Sequence, residues 1–309
     1  MKKLLCILGM VTALLAGCST NKIENDKLKI VTTIYPEYDW VKNIVGDNEN
    51  VEIKVLLNNG SDLHSYQPTA EDILNINEAD LFIYNGGESD EWIEDILSQN
   101  PNINSLNLME ALGDKVKTEE SVEGMQSEEE SDEEEYDEHI WLSLKNAQVL
   151  TKAINEKLDE IDSEHKNIYD ANTKTYCEKL ASLDSKYEEL VNNASNKTIL
   201  FGDRFPFRYL VDDYGLTYYA AFSGCSAETE ASFETVIFLA NKVDELNLNV
   251  VLTIDKSDSN IASTIVENTK NKNQKILELN SMQSTTTSDN TSYLEIMENN
   301  LEVLKQALN

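Results

Sequence analysis

The chain is short of positive charge. Over 309 residues it carries 25 Lys and Arg against 57 Asp and Glu, a formal net charge of −32. Such a surface repels phosphate backbones, which excludes nucleic acid as a partner, and it concentrates cations around a solvated body. Long apolar runs are also missing. Leu4 to Ala16 is apolar but too short for a permanent spanning helix, and no other stretch is long and apolar enough to cross a bilayer. Histidine is scarce, with three in the chain, His64, His139 and His165. No His-Glu-x-x-His pair and no nucleophile elbow is present, so the usual signatures of an exported hydrolase are absent. Neither Pro nor Gly occurs between Lys145 and Asn196. Cysteine is limited to four residues.

The N-terminus accounts for two of those cysteines. Met1-Lys2-Lys3 is a short positive start, and the apolar run after it reads as a signal h-region carrying Cys6. It ends in Leu15-Ala16-Gly17-Cys18, the small residues and cysteine that a lipoprotein signal peptidase requires. Cys18 is then the lipidated residue, and the polar stretch Ser19 to Asp26 is a tether. The expected location is the extracytoplasmic face of a cell membrane, held by lipid. Cys177 and Cys225 remain. Sequence leaves open whether they pair, stay as two thiols, or lend one to a site.

Downstream, strand and helix alternate. Lys29 to Ile34, Val51 to Leu56 and Leu81 to Tyr84 are β-rich runs, with helical spacing over Tyr38 to Val45 and Ala70 to Ala79. Lys145 to Asn196 is charged and periodically apolar, one long helix or two with a break. Alternation resumes with strands at Thr198 to Phe201 and Val250 to Ile254. Helices are expected over Phe205 to Tyr214, Phe233 to Leu246, Ile261 to Asn268 and Ser292 to Leu308. The pattern predicts two α/β lobes with parallel sheets, joined by a long helical segment. Ligands of open α/β sheets bind beyond the carboxyl ends of the strands, which places a site in the cleft between the lobes.

Glu119 to Glu138 holds a dozen carboxylates and no basic residue. Such a run self-repels and is expected to be disordered and solvated, with weak cation collection as a functional reading. It leads straight into His139. His64 lies in Gly60-Ser61-Asp62-Leu63-His64-Ser65-Tyr66, a loop after a strand, whereas His165 sits among charges on the long helical segment. Neutral imidazole is a common ligand of zinc, copper and manganese-type ions, so His64 and His139 point to a divalent transition metal.

At these residues the chain resembles the cluster A-I (cluster 9) substrate-binding lipoproteins of zinc and manganese ABC transporters. Asp62-Leu63-His64-Ser65-Tyr66-Gln67-Pro68-Thr69 is similar to one histidine loop of that family. Glu138-His139-Ile140-Trp141-Leu142-Ser143 is similar to the other, with Glu138 where Pro is usual. The resemblance implies two α/β lobes bridged by one rigid helix, with a metal site in the cleft. The expected divisions are a signal peptide at 1–17, a lipidated tether at 18–27 and an N-terminal lobe at 28–165 containing an acidic disordered loop at 117–137. A bridging helix at 166–196 and a C-terminal lobe at 197–309 follow.

The resemblance also implies ligands. His64 and His139 match the two from the N-terminal lobe. The zinc branch places a His where this chain has Gly202-Asp203-Arg204-Phe205, and the manganese branch places a Glu in the next loop, where Glu228 and Glu230 stand. The last loop, Asn280-Ser281-Met282-Gln283, offers no carboxylate. Glu228 is the expected third ligand, with Cys225, Glu230 and Asp203 behind it. A thiolate at Cys225 would favour zinc over manganese. The implied function is capture of zinc, or alternatively manganese, by a monomeric, non-enzymatic carrier that delivers the ion to an ABC permease. An exported metal-dependent hydrolase is the competing class and would need an open coordination position beside a general base.

Overall fold

In the computed structural model, residues 27–126, 135–226 and 230–309 are described. Cys18, and with it the lipidation expectation, lies outside them, as does Glu228. Among the described residues no helix is long and apolar enough to cross a membrane.

The first lobe alternates strictly: β1 (Leu28–Thr32), α1 (Tyr35–Val45), β2 (Val51–Val55), α2 (Ala70–Asn77), β3 (Leu81–Tyr84), α3 (Glu91–Gln99), β4 (Ser105–Asn107) and α4 (Leu108–Leu112). The strands form one parallel sheet in the order β2-β1-β3-β4. All four residues of β3 are buried, as expected of a strand covered on both faces.

Two helices follow, α5 (Leu144–Ile161) and α6 (Lys166–Asn193), packed against each other. The helical segment is therefore two helices, broken at Asp162 to His165. His165 is the residue before α6 and not part of its surface; its Nδ1 lies 2.8 Å from Asp162 Oδ1, and Tyr169 donates to Asp162 Oδ2 at 2.6 Å. Helix α6 runs between the lobes, about 42 Å long at 1.5 Å per residue. Its first half grips α1, where Asn172 donates to the Ile44 carbonyl at 2.9 Å and Tyr176 to Asp39 at 3.2 Å. Its second half grips the other lobe.

That second lobe contains β5 (Thr198–Leu200), β6 (Arg204–Phe205), α7 (Arg208–Tyr214), β7 (Thr217–Tyr219), β8 (Phe222–Ser223), α8 (Phe233–Leu246), β9 (Val250–Ile254), α9 (Asn260–Asn268), β10 (Lys275–Leu279) and α10 (Tyr293–Ala307). The Tyr187 hydroxyl of α6 donates to the Met297 carbonyl of α10 at 2.6 Å. Parallel pairs β10-β9 and β5-β7 are joined by a Phe201–Leu252 bridge, and β6 pairs with β8. Helix α7 begins three residues later than periodicity suggests. Phe205 precedes Pro206, which disfavours the helical backbone there, and it is spent on β6. One core cluster runs through both lobes and α6, and a smaller one fills the space beneath α8 and α9.

The flanks of the acidic run are not a disordered loop. Residues 117–126 and 135–137 pair at Thr118 and Tyr136 and hydrogen-bond to the second lobe, because its Arg208 and Lys242 offer them counter-charges. The stretch between, 127–134, lies outside the described residues.

Candidate metal centre

Every group at the site leaves the carboxyl end of a strand or the turn before α5. His64 follows β2 on a 3-10 turn (Leu63–Ser65) whose N-cap, Asp62, accepts the His64 N–H at 3.0 Å. Ser89 follows β3, Cys225 follows β8, and Gln283 follows β10. His139 enters the turn Ile140–Leu142 ahead of α5. The two lobes meet there. Trp141 Nε1 donates to the Ser281 carbonyl at 2.9 Å, and Tyr293 donates to the Trp141 carbonyl at 2.6 Å. Arg204 in β6 pairs with Asp62 at 2.7 Å across the cleft.

The imidazoles converge. His64 Nε2 and His139 Nε2 are 3.2 Å apart, and Gln283 Nε2 is 2.9 Å from the first and 2.7 Å from the second. Ligating atoms of His64, His139 and Cys225 all lie within 4.8 Å of one another. Tetrahedral zinc bound about 2.0–2.1 Å from each nitrogen separates them by about 3.3 Å, so the imidazole pair already has the required spacing. Gly224 lets the second lobe close on the pair: a Cβ there would fall 3.0 Å from His139 Cε1 and 2.9 Å from the Phe205 carbonyl. A cavity of about 500 Å³, lined in part by His64, Asp62, Asp203, Arg204 and Asp255, opens onto the same place.

The remaining ring nitrogens are held from behind. His139 Nδ1 is 3.0 Å from Asp137 Oδ1, which also accepts the His139 N–H at 2.8 Å. His64 Nδ1 is 2.9 Å from Ser89 Oγ. Glu138, fully buried, accepts the Ser89 N–H through Oε1 at 2.6 Å, and its Oε2 faces His64 Nδ1 at 3.9 Å. Carboxylate and hydroxyl partners of this kind fix the tautomer and raise the basicity of a metal-ligating histidine.

Electrostatics separate the two rings. Burial, and then the charge of His139, push His64 down to about 3, so it is neutral at physiological pH. Burial opposes charge on His139 most strongly, but the carboxylates of Asp137, Glu138 and Glu119 together outweigh it and hold the ring above the ordinary histidine value. Burial, helped by Glu119, drives the Cys225 thiol well up. A cation in the cleft would take the place of those protons.

Of the residues expected from sequence, His64, His139 and Cys225 are brought together. Asp203 lines the cleft but is engaged elsewhere, accepting the Ile254 N–H at 3.4 Å. Glu230 is exposed ahead of α8 and outside the group. Cys177, buried on α6, and Cys225, half-buried after β8, are both free thiols. Gln283, in the loop that offers no carboxylate, is not a candidate on sequence grounds; its side-chain amide reaches both imidazoles, and the amide itself is the only signal the sequence carries there.

The family model described as ZnuA, zinc-uptake complex component A, periplasmic, matches residues 30–307. The chain belongs to the ZnuA family. Among curated members, the zinc-binding lipoprotein AdcA of Streptococcus pneumoniae R6 is 31% identical over 310 residues, 99% of this chain and 61% of AdcA. The chain thus spans less than two thirds of that relative's length. The high-affinity zinc uptake system protein ZnuA of Bacillus subtilis is 29% identical over 98% of this chain and 97% of its own. The crystal structure of the Zn(II)-bound ZnuA-like domain of Streptococcus pneumoniae AdcA superposes with a TM-score of 0.73 at 29% identity. It covers 91% of this chain and 99% of that domain. The ZnuA family is one of metal-binding, substrate-binding components of transport, and the two lobes around α6 are its fold.

Proposed function

We propose that the chain captures zinc at the floor of the interlobe cleft and delivers it to an ABC permease. His64 and His139 are the nitrogen ligands and Cys225 the third donor. Gln283 supplies the fourth through its amide oxygen once the amide turns over. The observation that carries this reading is the 3.2 Å approach of two imidazole nitrogens in a chain with three histidines. Such an approach is costly without a bridging cation or proton. Two imidazoles and a thiolate are soft to borderline donors, which favours zinc over manganese. Relatives named as zinc-binding lipoproteins support the ion and the address. On the same reading, Cys18 anchors the carrier by lipid, raising its effective concentration at the permease, and the chain works as a monomer without catalysing a reaction.

The test is metal analysis of the purified chain followed by calorimetry. Wild type should bind one zinc in preference to manganese, and His64→Ala with His139→Ala should abolish tight binding. Unchanged affinity in the double variant, or a preference for manganese, would refute the assignment.

A further inference from the structure

The acidic run begins and ends in a short two-stranded root. Glu119 N–H donates to the Glu135 carbonyl at 2.9 Å and Asp137 N–H to the Lys117 carbonyl at 2.9 Å, on either side of the Thr118–Tyr136 bridge. Tyr209 of α7 pins both strands: its hydroxyl accepts the Lys117 N–H at 3.0 Å and donates to the Asp137 carbonyl at 2.8 Å. From this root one side chain reaches each half of the metal centre. Asp137 holds His139, and Glu119 Oε1 accepts the backbone N–H of Cys225 at 2.9 Å.

The chain beyond Glu119 is laid over the second lobe on both sides of the cysteine segment. Gln126 N–H donates to the Ala221 carbonyl at 2.9 Å, and Gln126 Oε1 accepts the Ser232 N–H at 2.7 Å. Gly124 makes the close approach possible. Its φ is +86°, and a Cβ would sit 2.0 Å from the Phe238 ring. Ala221 and Ser232, on either side of the cysteine, are thus both held by Gln126, and the contact at Cys225 itself is a carboxylate on a backbone N–H, a charge-assisted hydrogen bond.

We infer that Glu119 is a positioning residue of the metal centre, fixing the Cys225 segment so that its sulfur stays beside the imidazole pair. The inference rests on the reading of Cys225 as a ligand. A donor on an irregular segment outside the sheet loses conformational freedom when it binds; fixing its backbone beforehand removes that cost. The acidic run therefore has a structural duty at its root that is separate from its charge. Glutamine at this position keeps an acceptor oxygen and should preserve the contact, whereas alanine should not.

Cobalt(II) titration of the full chain reads the sulfur directly, through near-ultraviolet thiolate-to-cobalt charge transfer, and zinc dissociation measured with a chromophoric chelator gives the rate. Wild type should show the band and Cys225→Ser should lack it. Glu119→Ala should weaken the band and speed zinc release about tenfold, the loss of one hydrogen bond to a charged group. Glu119→Gln should match wild type, and so should Glu123→Ala, which removes an exposed strap carboxylate paired with Lys242 at 3.8 Å. No band in wild type would refute the Cys225 reading and the inference with it. A wild-type band that Glu119→Ala leaves intact would overturn the inference alone, as would equal losses in Glu119→Ala and Glu123→Ala.

Discussion

Asp137 illustrates how much of the site depends on groups that never touch the ion. It is buried, accepts the backbone N–H of the residue it serves, and leaves a carboxylate against His139 Nδ1. Losing that charge leaves the ring less basic and less fixed in orientation. Asp137→Asn is expected to lower zinc affinity about 10- to 100-fold, the range for outer partners of metal-bound histidines, with little change in the circular dichroism of the fold. A competition assay against a chelator of known affinity measures this. An unchanged affinity would mean that the 3.0 Å contact contributes nothing to binding.

At the scale of elements, the carboxyl ends of β2 and β3 converge on a set of buried acids behind the histidines. Asp90, at the start of α3, accepts the Gly86 N–H at 2.9 Å. Burial foremost lifts its carboxyl from the ordinary 3.8 to about 7, with Glu138 adding to the effect. Between those values the folded chain holds a proton that the unfolded chain has released. Folding stability contributed by this group is therefore fully present in acid and is lost as pH rises towards 7. Asp90→Asn keeps an acceptor oxygen and has no proton to lose. It should raise the thermal midpoint at pH 8, where the gain approaches about 4 kcal/mol, and leave it nearly unchanged at pH 4. A gain of equal size at both pH values would show that ionisation is not the cause.

For the whole molecule, capture is coupled to protons. His64 is already neutral and releases none, whereas His139 and the Cys225 thiol are both held above their ordinary ranges. Zinc binding near pH 7 should then release one to two protons, and affinity should rise about tenfold per pH unit for each proton displaced. Calorimetry in two buffers of different ionisation enthalpy counts them. Binding without proton release would exclude a thiolate ligand at Cys225. The Arg204–Asp62 pair and the Trp141–Ser281 contact tie the lobes together at the same cleft.

Sequence alone determined the alternation of strands and helices, hence two α/β lobes, because side-chain periodicity is a local property. It also singled out His64 and His139, because one falls in a loop after a strand and the other at the exit of the acidic run, in a chain with one other imidazole. What it left undecided depends on distance across the fold. Cys225 and Gln283 stand 58 residues apart in the chain, by subtraction of their numbers, and only the tertiary fold, in which one follows β8 and the other β10, brings both to the imidazole pair. The acidic run looked like solvated charge because self-repulsion is all that composition reveals. Tertiary contact with Tyr209, Arg208 and Lys242 supplied the counter-charges and hydrogen bonds that lay its flanks against the second lobe. The third donor belongs to the same class: the sequence put Glu228 ahead of Cys225, Glu230 and Asp203, and among the described residues, which do not include Glu228, convergence in space sets Cys225 beside the two imidazoles.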